Sequence, residues 1–115
     1  MLNNGIQVDA VVEGPVGAPN TVQANVVSHA ANDGIHVHIE PVLPVSRTIL
    51  TRNIVTAAAD DGIDVRAAST TLTRNLARRN GDRGIDAVAG VIDGGGNTAF
   101  QNGNPVQCIN VMCAP

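Results

Sequence analysis

The chain has 115 residues, of which 43% are hydrophobic, 15% charged and 1% aromatic, with a formal net charge of −3. Its length fits one domain, yet it contains no Trp or Tyr, a single Phe (Phe100) and no Lys, all seven basic residues being Arg. Those absences exclude the basic patches and stacking rings of nucleic-acid binders, a Schiff-base lysine and the lysine of a Walker-type phosphate loop, and no apolar run approaches the ~20 residues of a membrane span.

In chain order, Asn4-Gly5-Ile6-Gln7-Val8 is the first of four similar segments. It is followed by Asp33-Gly34-Ile35-His36-Val37, Asp61-Gly62-Ile63-Asp64-Val65 and Arg83-Gly84-Ile85-Asp86-Ala87. An Asn stands nine positions before the Gly in the last three, at Asn25, Asn53 and Asn75. Asn97 continues the series at the same offset from Val106, and the Asn-to-Asn steps are 28, 22 and 22 residues. A period of 22 is too short for paired-helix repeats and suits one coil of a β-solenoid.

The columns read as strands. Val22, Leu50 and Leu72 align, as do Val26, Ile54 and Leu76. Ile6, Ile35, Ile63 and Ile85 form a third column, and Val8, Val37, Val65 and Ala87 a fourth. A polar residue between the two apolar ones gives the alternation of a strand with one buried face. Coils stacked about 4.8 Å apart bury continuous aliphatic columns, so aromatic rings are not needed to fill the core. The Asn column predicts a left-handed turn residue whose amide bonds to its equivalent one coil away, and each Gly predicts a sharp bend into the next strand. Glu13–Pro19 and Glu40–Val45, the latter bracketed by Pro41 and Pro44, read as excursion loops.

The spacing N-x8-G-I-x-V resembles the right-handed parallel β-helix repeat of the pectate-lyase-like superfamily, which includes pectin and alginate enzymes. The run from Gly94 to Cys108 looks like the final coil and C-terminal cap of secreted bacterial members. The resemblance implies an all-β, right-handed parallel β-helix of four to five coils, a single domain over residues 1–115 that lacks upstream coils, closed by a cap at residues 102–115. It also implies a secreted or cell-surface protein, although no signal peptide opens the chain. Fold does not fix activity, so function must come from a site.

Three groups of residues are candidates. The outward columns of the Ile-x-Val strand read Gln7, His36, Asp64, Asp86 and Asp9, His38, Arg66, Val88. In register, Asp64 and Asp86 lie roughly 5 Å apart. His36, one rung away, is then a base near neutral pH, and Arg66 is a bidentate partner for a sugar carboxylate. As a catalytic set, His36, His38, Asp64, Arg66 and Asp86 suit a lyase, epimerase or hydrolase acting on an acidic polysaccharide, with Asp64 or His36 as base. The plainer reading is a solvated strand face on which Arg66 neutralises the two carboxylates.

The second group, Asp60, Asp61 and Asp82, offers hard oxygen ligands for calcium, the one cofactor considered. With Asp33 it loosely resembles the acidic residues of polygalacturonase-type glycosidases, but Ala31 and Arg83 occupy positions where that pattern has Asn and His, and its Lys is absent. Asp and Asn before Gly are also ordinary turn residues. In the third group, Arg52 and Arg74 align and Arg78, Arg79 and Arg83 follow, which is either an anion-binding stripe or a solvated face. Thr51 and Thr73 align too, but too few rungs carry Thr for an ice-binding surface.

Cys108 and Cys113 either form a bridge in an oxidising compartment or remain free thiols. The N-terminal end begins in mid-coil at Leu2–Val8, which predicts end-to-end association into a homo-oligomer or further coils upstream. The lack of aromatic rings for sugar stacking favours a noncatalytic structural or ligand-binding segment over an enzyme.

Overall fold

A computed structural model describes residues 3–10, 19–39 and 47–115. The excursion Glu40–Val45 and all of Glu13–Pro19 except Pro19 lie outside the described residues. The described structure is all-β. The first strand is β1 (Ile6–Ala10). Four three-stranded coils follow: β2 (Asn20–Gln23), β3 (Val26–Ser28) and β4 (Ile35–Ile39); β5 (Thr48–Thr51), β6 (Ile54–Thr56) and β7 (Ile63–Val65); β8 (Thr70–Thr73), β9 (Leu76–Arg78) and β10 (Ile85–Ala87); β11 (Ile92–Gly95), β12 (Thr98–Phe100) and β13 (Cys108–Ile109).

Equivalent strands of successive coils pair in parallel and build three sheets. The orders are β1-β4-β7-β10-β13, β2-β5-β8-β11 and β3-β6-β9-β12, hereafter sheets A, B and C. The register is that of the repeat: Ile35 pairs with Ile63 and Ile63 with Ile85, Leu50 with Leu72, Val55 with Ala77. The architecture is a parallel β-helix. Its core is a set of aliphatic stacks, with Ile35, Ile63 and Ile85 from sheet A, Leu50 and Leu72 from sheet B, and Val55 and Ala77 from sheet C fully buried. Stacking like on like brings β-branched side chains into interdigitation without large rings.

Four details differ from the sequence reading. The column Val26, Ile54, Leu76 is in register but points outward, with Val26 74% exposed. The inward column is Val27, Val55, Ala77, Ala99, because the Asn before each strand faces the interior and alternation sends the next residue out.

The left-handed conformation belongs not to the Asn residues but to the residues before them: Ala24, Arg52, Arg74 and Gly96 have φ between 55° and 73°. Arg52 and Arg74 therefore sit at turn corners rather than on a strand face. A second left-handed column, His29, Ala57, Arg79 and Gln101, makes the corner after sheet C.

The glycines at positions 5, 34, 62 and 84 do not have positive φ. They are there for space. A Cβ on Gly34 would collide with Val55 Cγ1 and lie 2.7 Å from the Gly62 carbonyl oxygen, and one on Gly62 would lie 2.7 Å from that of Gly84. Finally, Ile85 pairs with Cys108, so Gln107 rather than Val106 takes the place of the repeat glycine, and the last coil carries one extra residue.

The Asn column is a continuous hydrogen-bonded ladder. The Asn25 backbone N–H and Nδ2 both donate to Asn53 Oδ1 at 3.1 Å. Asn53 donates in the same way to Asn75 Oδ1 (3.1 and 3.0 Å), and Asn75 to Asn97 Oδ1 (3.0 and 3.2 Å). The amides of Asn53 and Asn75 also reach back to the previous coil, Asn53 Nδ2 to the Val22 carbonyl and Asn75 Nδ2 to that of Leu50, both at 2.9 Å. Buried Asn53, Asn75 and Asn97 thus satisfy the backbone groups that each corner leaves without a strand partner. A shorter ladder runs along the second corner, where Ala58 N–H donates to Asn80 Oδ1, Asn80 to Asn102 Oδ1, and Asn102 to Gln107 Oε1.

Candidate functional site

Sheet A carries the candidate site on its outer face. The register places His36 beside Asp64 and Asp64 beside Asp86 on adjacent rungs. His36 Nδ1 lies 2.8 Å from Asp64 Oδ2. A carboxylate only accepts hydrogen bonds, so Nδ1 carries the proton in this bond. Arg66 Nη2 is 2.7 Å from Asp64 Oδ1 and 3.0 Å from Asp86 Oδ1, and it also donates to the Asp86 carbonyl at 2.8 Å. The charged partners hold the Arg66 pKa above its ordinary value; partial burial works in the opposite direction, and the neighbouring Asp64 and Asp86 carboxylates outweigh it. His38 follows His36 on the same face, with ring centroids 5.9 Å apart. The structure therefore gathers all five residues singled out on this strand into one band.

Two residues join the band from the turn before the strand. Asp33, three residues before His36, brings Oδ2 to 3.5 Å from His36 Nδ1. Arg83 Nη1 lies 3.6 Å from Asp86 Oδ2 and 3.9 Å from Asp82 Oδ2. The signal for Asp33 was present in the sequence: it precedes the repeat Gly, as Asn4 and Asp61 do, and so shares their column.

That column is a third ladder. Asn4 Oδ1 accepts from Asn32 Nδ2 and from the Asp33 backbone N–H, Asp33 Oδ1 accepts from the Asp61 N–H, and Asp61 Oδ1 accepts from the Arg83 N–H, at 3.0–3.1 Å. Asp33 and Asp61 are 5% and 6% exposed. Desolvation, with the nearby Asp64 charge next, pushes Asp33 up to about 7, against a backbone hydrogen bond that works the other way. Asp61 is raised to about 6, again first by desolvation. Asp60 is raised by the same cause and then by Asp82.

Three sets of side chains bring donor atoms within 4.8 Å of one another: Asp33, His36 and Asp64; Asp33, Asp60 and Asp61; and Asp61, Asp64 and Asp86. Asp60 and Asp61 come together with Asp33. Asp82 instead accepts from Asn104 Nδ2 at 2.9 Å and faces Arg83. The oxygen-rich sets have the donor chemistry of a hard cation such as calcium. The Arg residues do not form one stripe: Arg52 and Arg74 mark corners, Arg79 Nε bonds Gln101 Oε1 at 3.3 Å, and Arg66 and Arg83 are held by aspartates.

Comparison with known proteins gives no match to a protein-family profile, a curated protein or a solved structure. No helix among the described residues is long and apolar enough to cross a membrane.

Proposed function

We propose that the chain is a noncatalytic structural or ligand-binding segment of a β-helix. The observation that carries this reading is Arg66, whose Nη2 lies within 3.0 Å of both Asp64 and Asp86. The group best suited to grip a substrate carboxylate is already committed to two of its own, and the charges of the face neutralise one another across coils. The repeat spacing supports kinship with the pectate-lyase-like superfamily. The disulfide between Cys108 and Cys113 supports a secreted or cell-surface location.

One observation favours an enzyme as the second reading. Asp33, with its pKa raised to about 7, lies 3.5 Å from His36, which is itself bonded to Asp64, and this supports a group able to exchange a proton near neutral pH on the face. The substrate would be an acidic polysaccharide, with His36 or Asp64 as base and Arg66 released to the uronate. The test is a panel of acidic polysaccharides assayed for binding and for unsaturated or shortened products, with and without calcium. The structural reading expects no product under any condition. Product formation that disappears in Asp64→Ala overturns it.

A further inference from the structure

The net charge of −3 conceals a separation of charge between faces. Sheet A and the turn that leads into it carry Asp33, Asp60, Asp61, Asp64, Asp82 and Asp86, set against Arg66 and Arg83. Sheet C and its two flanking corners are the reverse. Residues 24–29, 52–57, 74–79 and 96–101 contain no Asp or Glu, and they carry Arg52, Arg74, Arg78 and Arg79.

Arg52 and Arg74 are exposed and stand at the same corner of adjacent coils, each following a Thr of the pair Thr51 and Thr73. Arg78 pairs with Thr56 and Phe100 within sheet C, and the buried Ala77 before it sends its side chain to the outer face. Arg79 is exposed at the next corner and bonds the neutral Gln101. Among the described residues none of these four forms an ion pair, and Arg78 Nε has no hydrogen-bond partner. Like charges on neighbouring rungs repel, and an anionic counter-surface relieves them.

The same face is apolar at its centre. Val26 is 74% and Ile54 36% exposed, and Leu76 continues their column on the next rung. Ile54 and Leu76 stand two positions after Arg52 and Arg74, so the aliphatic column runs alongside the arginine corner.

We propose that sheet C and its flanking corners form a docking surface for an anionic phospholipid bilayer. The guanidinium groups meet lipid phosphates, and Val26, Ile54 and Leu76 enter the boundary between headgroups and acyl chains. A soluble polyanion would satisfy the arginines but leave the aliphatic column in water, and a lone Phe100 offers little stacking. A stable protein interface needs about 800 Å² per partner. Four rungs ~4.8 Å apart, three residues and two corners wide, supply on the order of 300 Å². A bilayer sets no such minimum outline. The acidic face of sheet A is repelled by the same lipids, which fixes the orientation of the solenoid. The inference goes beyond the reading of sheet A above and does not depend on whether that face binds or transforms anything.

The test is co-sedimentation of the full chain with vesicles of mixed phosphatidylglycerol and phosphatidylcholine, with vesicles of phosphatidylcholine alone, and with the mixed vesicles in competition with soluble dextran sulfate. The chain is expected to bind the anionic vesicles about tenfold or more tighter than the neutral ones, and less as salt is raised. Arg52→Gln with Arg74→Gln is expected to weaken binding about tenfold or more; Gln101 shows that Gln is accepted at a left-handed corner. Val26→Thr with Ile54→Thr keeps every charge and is expected to weaken binding several-fold. Thermal unfolding matched to the parent shows that both variants are folded. No binding to anionic vesicles, equal binding to neutral ones, indifference to either folded variant, or tighter binding to dextran sulfate than to vesicles overturns the proposal.

Discussion

The amide ladder Asn25–Asn53–Asn75–Asn97 and the acidic column Asn4–Asp33–Asp61 do the same backbone work with different chemistry. In both, a side-chain oxygen accepts the N–H of a residue in an adjacent coil. An amide also donates, so Asn53 and Asn75 each close a bond to the next Asn and a second to a carbonyl of the preceding coil. A carboxylate only accepts. Stacked aspartates therefore gain one bond each, repel one another and are raised in pKa by burial. The amides of the long ladder do not themselves titrate, whereas the acidic column makes the corner before sheet A a titrating one.

Exchanging the two chemistries breaks this contrast most sharply. Asn75→Asp removes the donors to Leu50 and Asn97 and buries a carboxylate, and is expected to cost about 4 kcal/mol or more near neutral pH, with partial recovery on acidification, read by denaturant unfolding across pH. The opposite exchange, Asp33→Asn, keeps the acceptor for Asp61 and removes the buried charge.

The sign for Asp33 follows from its raised pKa. Between the unfolded value of 3.8 and the folded value of about 7, the folded state binds the extra proton. Its contribution is full below the lower value and is lost as pH rises through the upper one. The parent is thus expected to lose stability between pH 3.8 and about 7, with no further loss from this group above that. Asp33→Asn flattens that slope and gains roughly 2 kcal/mol on the alkaline side.

The C-terminal segment is a third point of comparison, because a covalent link supplements its hydrogen bonds. Cys108→Ser is expected to cost about 2 kcal/mol by chain-entropy reasoning and to loosen amide-exchange protection around Val111 before that of Leu50 or Leu72. The smallest effect belongs to Arg66→Gln. It leaves Asp64 and Asp86 adjacent with less compensation, but the guanidinium is partly exposed, so a loss of about 1 kcal/mol is expected, and it diminishes as salt is raised.

Much of the architecture was legible because a solenoid turns sequence period into spatial neighbourhood. The offset shared by Asn53 and Asn75 becomes a hydrogen bond, and the recurrence of Gly-Ile-x-Val becomes the rungs of sheet A. The clustering of His36, Asp64, Arg66 and Asp86 was legible for the same reason. Corners were less so. Arg52 and Arg74 looked like an outward strand column, yet they adopt the left-handed conformation at a turn. Nothing in the side chain of Arg announces that geometry, since it is imposed by the need to aim the next Asn inward. Val26 and Ile54 looked like core because they are aliphatic, and only the phase set by the buried Asn turned them to solvent.

The amino-acid sequence by itself determined the number of rungs, their aliphatic filling and the Asn ladder, because these follow from a repeat whose period equals one turn of the chain. Tertiary structure alone decided the reason for each repeat glycine, the burial of Asp33, and the commitment of Arg66 to two carboxylates. Those depend on the approach of separate coils in three dimensions, where a missing Cβ, a buried oxygen or a shared guanidinium is fixed by neighbours some 20 to 28 residues away.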